Sequence, residues 1–228
     1  MGIRKYNLNI DYFKYIDSEH KAYWLGYLYA DGNVLNGDGR KYTVRLFADE
    51  KDVDALEKLR QSLESNKPIH WSKPSSTGRM GCVELCGKKL VEDVMKHGLI
   101  PNKTFKLTFP TSIPKELLRH FIRGYLDGDG CIQYEPPVVS LVGTESFCKS
   151  LRDFFSKELR IRFYLGCRHK ERDNNIRYIS IGGRHQVKTL LDWIYKDSTI
   201  YLDRKFHKYQ LLLKDYEERY GVTGNRDH

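Results

Sequence analysis

Residues 24–32, WLGYLYADG, form a nearly uninterrupted apolar segment that ends in one carboxylate followed by glycine. Almost the same arrangement returns at 122–130 as IRGYLDGDG, and aligning Asp31 with Asp129 also aligns Gly26 with Gly124. An apolar helix pattern that ends at a glycine is typical of a buried helix with a glycine C-cap. The sequence therefore predicts two related buried helices, each ending at a single acid.

The segments that follow these two helices also repeat. Each acid-glycine pair precedes two extended runs joined by a turn, at Asn36-Gly37-Asp38-Gly39 in the first copy and at Pro136-Pro137 in the second. An amphipathic helix comes next, and residues of N-cap type, Asp49 and Thr144, mark the two expected starts. Each copy then continues with an alternating strand, a glycine and another helix. The pattern predicts an α+β chain of two duplicated α-β-β-α-β-β-α units.

Small residues on the two opening helices predict that these helices pack closely against each other. Ala22, Gly26 and Ala30 share one face of the first helix, and Gly124 and Gly128 share one face of the second. A glycine in the middle of a helix costs roughly 0.5–1 kcal/mol relative to alanine, so a compensating close contact is expected. Such packing would bring the two helix C-termini together.

The carboxylates of Asp31 and Asp129 would then lie side by side at the negative ends of two helix dipoles. Two acids in this position repel each other unless a cation lies between them. Oxygen ligands, including nearby carbonyl groups, suit Mg²⁺ or a similar hard ion. A single Asp-Gly pair is more often an ordinary solvated helix end or turn. Two copies on a duplicated scaffold favour a metal site.

Composition and charge are consistent with a polyanionic partner. The chain has 228 residues, a net charge of +9, and 40% hydrophobic residues, enough for a substantial core. The five cysteines have no CxxC spacing, so we expect reduced thiols, an intracellular reducing compartment (a bacterial or phage cytoplasm, or an organelle) and no zinc site. The sequence shows no apolar run of membrane-spanning length, so no membrane association is expected.

The two motifs, at 24–32 and 122–130, resemble the paired motifs of single-chain LAGLIDADG homing endonucleases. The resemblance implies the LAGLIDADG endonuclease fold, with two antiparallel sheets forming a saddle over double-stranded DNA. It divides the chain into a first repeat at 1–107, a linker at 108–114 and a second repeat at 115–228. Tyr29 departs from the motif, which usually has an acid there; Asp127 keeps that acid.

The resemblance also implies a metal-dependent endonuclease that hydrolyses both strands of a long DNA site and leaves 3′ overhangs. Asp31 and Asp129 map onto the metal-binding acids, with the carbonyl groups of Ala30 and Gly128 completing the coordination. The expected cofactor is Mg²⁺, with Mn²⁺ or Ca²⁺ able to substitute in binding. Such a site would clamp the attacking and leaving oxygens of the phosphodiester.

Basic residues near the metals are expected to polarise water or phosphate. The related segments PNKTFK and DRKFHK place Lys103 and Lys205 at similar distances after their acids, and we assign them this role. Contact with phosphate or solvent is the plainer alternative for a lysine in a basic protein. Lys88 and Lys89 are rival candidates.

Polar residues that alternate with apolar ones along the strands predict the DNA-facing surface. Loops at 72–79 and 168–175 are expected to hold phosphates. The expected contact residues are Lys41, Thr43, Arg45, His70, Ser72, Lys73, Arg79, Gln133, Glu135, Arg162, Tyr164, Arg168, Lys170, Arg172, Tyr178 and Ser180. The two halves differ at nearly all of these positions, so the expected DNA site is asymmetric and the protein a monomer.

Two other functions use the same fold and stay open at this point. One is an RNA-splicing maturase, and the other is a DNA-binding protein that no longer cleaves. Both acids are present, which argues against lost cleavage. Coding within an intron or another mobile element is expected. An intein-embedded enzyme is a less expected context because the chain begins with Met and shows no splicing-domain blocks.

Overall fold

The computed structural model describes residues 5–37, 41–76, 78–167 and 175–221. Within these ranges the first unit contains one helix, two strands, a helix, two strands and a helix. Its elements are α1 Glu19–Asp31, β1 Gly32–Asn36, β2 Tyr42–Asp49, α2 Val53–Ser62, β3 His70–Trp71, β4 Met80–Cys86 and α3 Lys88–Lys96. The order matches the predicted unit.

The second unit repeats this order and adds a long terminal helix. Its elements are α4 Leu118–Asp129, β5 Cys131–Gln133, β6 Val138–Thr144, α5 Glu145–Leu159, β7 Tyr164–Gly166, β8 Ile176–Gly182, α6 Arg184–Tyr195 and α7 Asp203–Tyr220. The basic segments that end the two units therefore fold differently. The first contributes only a 3₁₀ turn at Lys103–Phe105, whereas the second forms the 18-residue helix α7.

Each unit has one antiparallel sheet, and the two sheets share a topology. Their strand orders are β1-β2-β4-β3 and β5-β6-β8-β7. Alternate residues of the central strands, such as Val44 and Leu46 in β2 and Ile179 and Ile181 in β8, are buried in the hydrophobic core. The opposite faces carry most of the polar side chains. The predicted α+β fold is confirmed.

Helices α1 and α4 pack against each other at their glycines. A Cβ added to Gly26 would lie 1.9 Å from the carbonyl oxygen of Phe121, and one added to Gly124 would lie 1.9 Å from that of Tyr23. The two backbones therefore touch directly, with no room for a side chain at either crossing point. The predicted close packing of the two motif helices is confirmed.

The two predicted N-caps have different outcomes. Thr144 caps α5 as expected, because its hydroxyl accepts a hydrogen bond from the Phe147 amide at 3.2 Å. Asp49 is the N-cap residue of a 3₁₀ turn, Glu50–Asp52, that leads directly into α2 at Val53, but its side chain accepts no capping hydrogen bond. Asp49 forms an ion pair with Lys51 instead, at 3.0 Å.

Candidate functional site

The carboxylates of Asp31 and Asp129 lie next to each other at the C-terminal ends of α1 and α4. Both side chains reach solvent. A Cβ added to Gly128, the residue before Asp129, would lie 3.2 Å from Oδ2 of Asp31 and 2.3 Å from Cβ of Ala30. The helix packing therefore brings the two motif ends together, and each is followed at once by the first strand of its sheet.

Protein atoms around these carboxylates disfavour their charged forms. Partial burial, followed by the nearby charge of Asp129, raises the pKa of Asp31 to about 6. Burial likewise raises the pKa of Asp129, although Lys103 and Lys205 oppose the shift. Without another cation, the pair therefore carries unfavourable negative charge near neutral pH.

Lys103 and Lys205 reach the ends of the two motif helices from different elements. The ammonium group of Lys103 donates a short hydrogen bond to the carbonyl oxygen of Ala30 at the end of α1. Each lysine thereby places a positive charge at the negative end of a helix dipole. Both lysines therefore lie near the two acids, and their role in polarising water or phosphate stays a prediction.

The two lysines are bound very differently. Lys205 is only 2% exposed, and its ammonium group donates to the carbonyl oxygens of Leu126, Asp127 and Gly130 at 2.5, 2.7 and 2.7 Å. A fourth carbonyl, that of Gly128, lies 3.5 Å away. Burial lowers the pKa of Lys205 to about 8.

The donor atoms at this site fit a hard divalent cation. The two adjacent carboxylates offer only oxygen ligands, which Mg²⁺ and Ca²⁺ prefer, whereas the nearby carbonyl group of Ala30 accepts a hydrogen bond from Lys103. The described residues include no group of three or more His, Cys, Asp or Glu side chains that could hold a metal. An ion here would therefore need carbonyl, water or phosphate oxygens beside the carboxylates of Asp31 and Asp129.

The rival lysines have other partners. Lys89 forms ion pairs with Asp11 at 3.0 Å and with Asp93 at 2.5 Å. Lys88 lies near Glu92 and over the ring of Tyr42. None of these contacts involves Asp31 or Asp129. Lys103 and Lys205 are therefore better placed than Lys88 and Lys89 to act beside the two acids.

Two further motif positions, Tyr29 and Asp127, show how the halves have diverged. Asp127 is 1% exposed and accepts hydrogen bonds from the Tyr23 hydroxyl at 2.9 Å and the Leu202 amide at 2.8 Å. Its burial raises its pKa to about 6. At the equivalent position of the first half, the Tyr29 hydroxyl donates to the carbonyl oxygen of His97. Both residues hydrogen-bond their helix to a later segment of the chain, but Asp127 accepts the hydrogen bond whereas Tyr29 donates it.

The polar face of the first sheet carries several of the predicted contact residues. Lys41, His70, Ser72 and Lys73 are exposed there or in its loops. Arg79 stacks over the ring of Trp71 at 5.2 Å. Thr43 differs from this expectation, because it is 1% exposed and its hydroxyl donates to the carbonyl oxygen of Lys41. It therefore offers no surface atoms for a contact.

Arg45 belongs to a charged cluster that the sequence interpretation did not identify. Its guanidinium donates two hydrogen bonds, at 2.8 and 2.6 Å, to Oε1 of Glu84 on the neighbouring strand, and Lys67 binds Oε2 at 2.7 Å. These side chains line a cavity of about 460 Å³ with Phe47 and His70. The alternation of Cys82, Glu84 and Cys86 with buried residues could have indicated Glu84.

The second sheet places its predicted contact residues on the outer face as well. Tyr164 is 64% exposed, its ring lies 6.0 Å from that of Tyr178, and Ser180 is paired opposite it. Arg162 and Gln133 are exposed, and Glu135 binds Arg184 at 2.7 Å. The predicted contacts Arg168, Lys170 and Arg172 lie outside the described residues.

Comparison with known proteins confirms the resemblance and the fold. Residues 116–195 match the family model described as LAGLIDADG-like domain. The meganuclease I-SmaMI, in a structure bound to uncleaveable DNA, has a TM-score of 0.59 at 11% identity, with 88% of this chain and 92% of that one covered. The I-LtrWI homing endonuclease bound to target DNA has a TM-score of 0.56 at 12% identity, with 92% of both chains covered.

A curated protein also matches most of the chain. It is the replication factor C small subunit of Methanocaldococcus jannaschii, which is 28% identical over 206 residues, or 87% of this chain. The chain spans only 10% of the length of that relative. Within the part of the chain that the structure describes, no helix is both long and apolar enough to cross a bilayer.

Proposed function

We propose that this protein is a site-specific, divalent-metal-dependent DNA endonuclease that hydrolyses both strands of an asymmetric duplex site. The observation that carries the proposal is the juxtaposition of Asp31 and Asp129 at two packed helix ends, each beside a lysine. The fold shared with DNA-bound homing endonucleases supports a duplex DNA partner.

The metal would be held by the carboxylates of Asp31 and Asp129. The carbonyl groups of Ala30 and Gly128 would join as further oxygen ligands once the ammonium groups of Lys103 and Lys205, which face them in the metal-free protein, turn toward phosphate or water. When bound, Mg²⁺ would supply charge for the attacking and leaving oxygens of the phosphodiester. Mn²⁺ could replace it, and Ca²⁺ is present in one I-SmaMI structure with uncleaved DNA. The raised pKa of Asp31 supports this assignment, because a bound cation would offset the repulsion that contributes to the shift.

The lysines would act on the reacting phosphate at the two sites. Lys103 is the more accessible of the two, and one carbonyl oxygen accepts its hydrogen bond. It can therefore orient water or neutralise phosphate charge without leaving several buried carbonyl groups unpaired. Lys205 would supply positive charge from a fixed position at the carbonyl groups that end α4, the helix of Asp129.

The two sheets would provide sequence recognition. Their polar faces present arginine, glutamine and glutamate side chains, which can pair with base edges in the major groove, and exposed lysines for phosphates. The faces differ in chemistry, since the first carries the Arg45–Glu84 cluster and the second carries Tyr164 and Tyr178. This difference supports a target that is not palindromic, read by one copy of the chain.

Selection of cleaved sites from a randomised duplex library tests the proposal. With Mg²⁺ the wild-type protein should enrich one site and cut both strands with 3′ overhangs, and EDTA should stop cleavage. Asp31→Asn and Asp129→Asn should each abolish double-strand cleavage and retain binding. Asp153→Asn, which alters an exposed carboxylate on α5, is the matched control and should cut normally.

Two results would redirect the proposal. Cleavage that survives both substitutions would remove Asp31 and Asp129 from the site. Specific binding of duplex DNA by the wild type, with no cutting in Mg²⁺ or Mn²⁺, would instead identify a cleavage-inactive DNA-binding protein.

A further inference from the structure

The segment that carries Lys205 is held by charged side chains of both halves of the protein. Within its own half, Arg123 donates to the carbonyl oxygen of Ile200 and Asp127 accepts from the Leu202 amide, each at 2.8 Å, and the first half adds further contacts. Segment 199–205 joins α6 to the start of α7. We call it the strap. Three residues of the first half, on α1 and at α2, bind it at separate points. They are Glu19, Asp52 and Lys58.

Glu19, at the start of α1, binds the beginning of the strap. Its carboxylate accepts hydrogen bonds from the backbone amide of Thr199 at 2.7 Å, from the Thr199 hydroxyl at 3.0 Å and from the amide of Ile200 at 3.3 Å. The same carboxylate forms an ion pair with the fully buried Arg123, at 2.6 Å. The beginning of the strap is therefore fixed to the packed helix pair α1–α4.

The end of the strap is fixed by two residues at α2. Lys58 donates to the carbonyl oxygen of Tyr201 at 3.1 Å and binds the carboxylate of Asp203 at 2.8 Å. Asp52, which is 6% exposed, accepts two hydrogen bonds from the guanidinium of Arg204, at 2.6 and 3.0 Å. Paired geometry of this kind fixes orientation as well as distance.

Arg204 immediately precedes Lys205, so a displacement of one would move the other. The ammonium group of Lys205 reaches the end of α4 from the first turn of α7. We propose that Glu19, Asp52 and Lys58 are positioning residues that place Lys205 at the second acid, so that the first half of the protein completes the catalytic group of the second half. This inference rests on the proposed function for the role of Lys205, but the placement itself can be measured without DNA.

Within the described part of the chain, the hydrogen bonds that the second half makes with the turn of Lys103 involve no charged side chain. The turn that carries Lys103 receives two neutral hydrogen bonds from the second half. The Thr144 hydroxyl donates to the carbonyl oxygen of Leu107, and the Asn175 amide donates to that of Phe105 at 3.2 Å. Among the described residues, the first half binds the strap through charged side chains, whereas the second half binds the turn of Lys103 through these neutral hydrogen bonds. Loss of a charged contact on the strap should therefore affect Lys205 and leave Lys103 in place.

Amine acylation with a small N-hydroxysuccinimide ester, read by peptide mass spectrometry on the full chain, tests the placement. In the wild type, Lys205 should react far more slowly than the exposed Lys88. Asp52→Asn should raise the acylation rate of Lys205 by about tenfold, because the paired hydrogen bonds from Arg204 to a buried carboxylate are weakened and the strap opens more often. Glu19→Gln should do the same without changing Lys103.

Two variants make the result specific. The charge exchange Asp52→Arg with Arg204→Asp should restore much of the protection of Lys205, whereas either single change should not. Arg184→Gln breaks an ion pair between α6 and α7 inside the second half and should leave Lys205 protected. Two results would overturn the proposal. One is an acylation rate of Lys205 in Arg184→Gln as high as that in Asp52→Asn. The other is a rate of Lys205 acylation that stays at the wild-type value in both Asp52→Asn and Glu19→Gln.

A strand-resolved cleavage assay on the selected site gives the functional counterpart. Asp52→Asn should accumulate DNA nicked in one particular strand, while the wild type cuts both. Equal slowing of both strands would contradict a role through Lys205. If the wild type cuts no site at all, the proposed function fails, and the acylation experiment still decides whether the strap positions Lys205.

Discussion

Gly26 and Gly124 lie across from each other where α1 and α4 cross, and each backbone occupies the space that a side chain on the other would need. A Cβ on either glycine would lie 1.9 Å from a carbonyl oxygen of the opposite helix. This contact determines how closely the helices approach. It therefore also determines how closely Asp31 and Asp129 approach at their ends.

Replacement of Gly26 by alanine should destabilise the protein. Alanine is the better helix former by roughly 0.5–1 kcal/mol, but the backbone clash should outweigh that gain and cost about 1–3 kcal/mol net. Urea unfolding measures the change. Gly182→Ala is the control, because an added Cβ there meets nothing closer than 3.6 Å. A Gly26→Ala variant as stable as the wild type would argue against direct backbone contact.

The stability of the metal-free protein should fall as the pH rises through about 6. The pKa values of Asp31 and Asp127 are raised to about 6, above about 3.9 in an unfolded chain. The folded state therefore binds more protons between these values, and this contribution is fully present below pH 4 and lost above pH 6. Urea unfolding at several pH values in EDTA measures the fall. Asp31→Asn should reduce the fall in the free energy of unfolding between pH 4 and 6. An unchanged fall would contradict the raised pKa of Asp31.

Removing a carboxylate from this site should stabilise the metal-free protein at neutral pH. Asp129→Asn removes a negative charge from a helix C-terminus, an unfavourable position worth about 0.3–1 kcal/mol. Mg²⁺ should then raise the melting temperature of the wild type more than that of the variant, because it binds the folded site. Equal responses to Mg²⁺ would place the ion elsewhere.

The two lysines should differ in their contribution to stability. Lys205→Met removes three charge-assisted hydrogen bonds to carbonyl oxygens at the end of α4 and should cost about 2–4 kcal/mol. Lys103→Met removes one hydrogen bond at a more accessible position and should cost about 1 kcal/mol or less. Denaturant unfolding of both variants makes the comparison, and equal losses would mean that the extra carbonyl contacts of Lys205 add no stability.

Arg45 and Lys73 should affect DNA binding in different ways. Arg45 is oriented by Glu84 beside a cavity, so Arg45→Ala should relax preference at one base pair, by about 1–3 kcal/mol. Lys73 is exposed in a loop, so Lys73→Gln should weaken binding to all sequences and reduce the slope of log K against log salt by about 1. Site-library selection and salt titration separate the two. A wild-type affinity that does not change with salt would argue against DNA as the partner.

The sequence predicts much of the site because its signals are local. The helix ends at Asp31 and Asp129 follow from an apolar run that stops at a glycine. The close helix packing follows from small residues that share one face of each helix, such as Gly26 and Ala30 in the first and Gly124 and Gly128 in the second. Strand alternation identifies exposed residues such as Tyr164, although Thr43 is buried against its neighbours. Duplication strengthens each of these signals because it supplies a second, independent copy.

The sequence by itself therefore determined the duplicated α+β order, the pairing of the two acids and the place of a lysine beside each. Only the tertiary structure decided that the two lysines differ, that Glu19, Asp52 and Lys58 hold the strap, and that Arg45 is oriented by Glu84. The physical reason is distance along the chain. Helix and strand periodicity is set by neighbouring residues, whereas an ion pair such as Asp52–Arg204 joins segments that no local pattern relates.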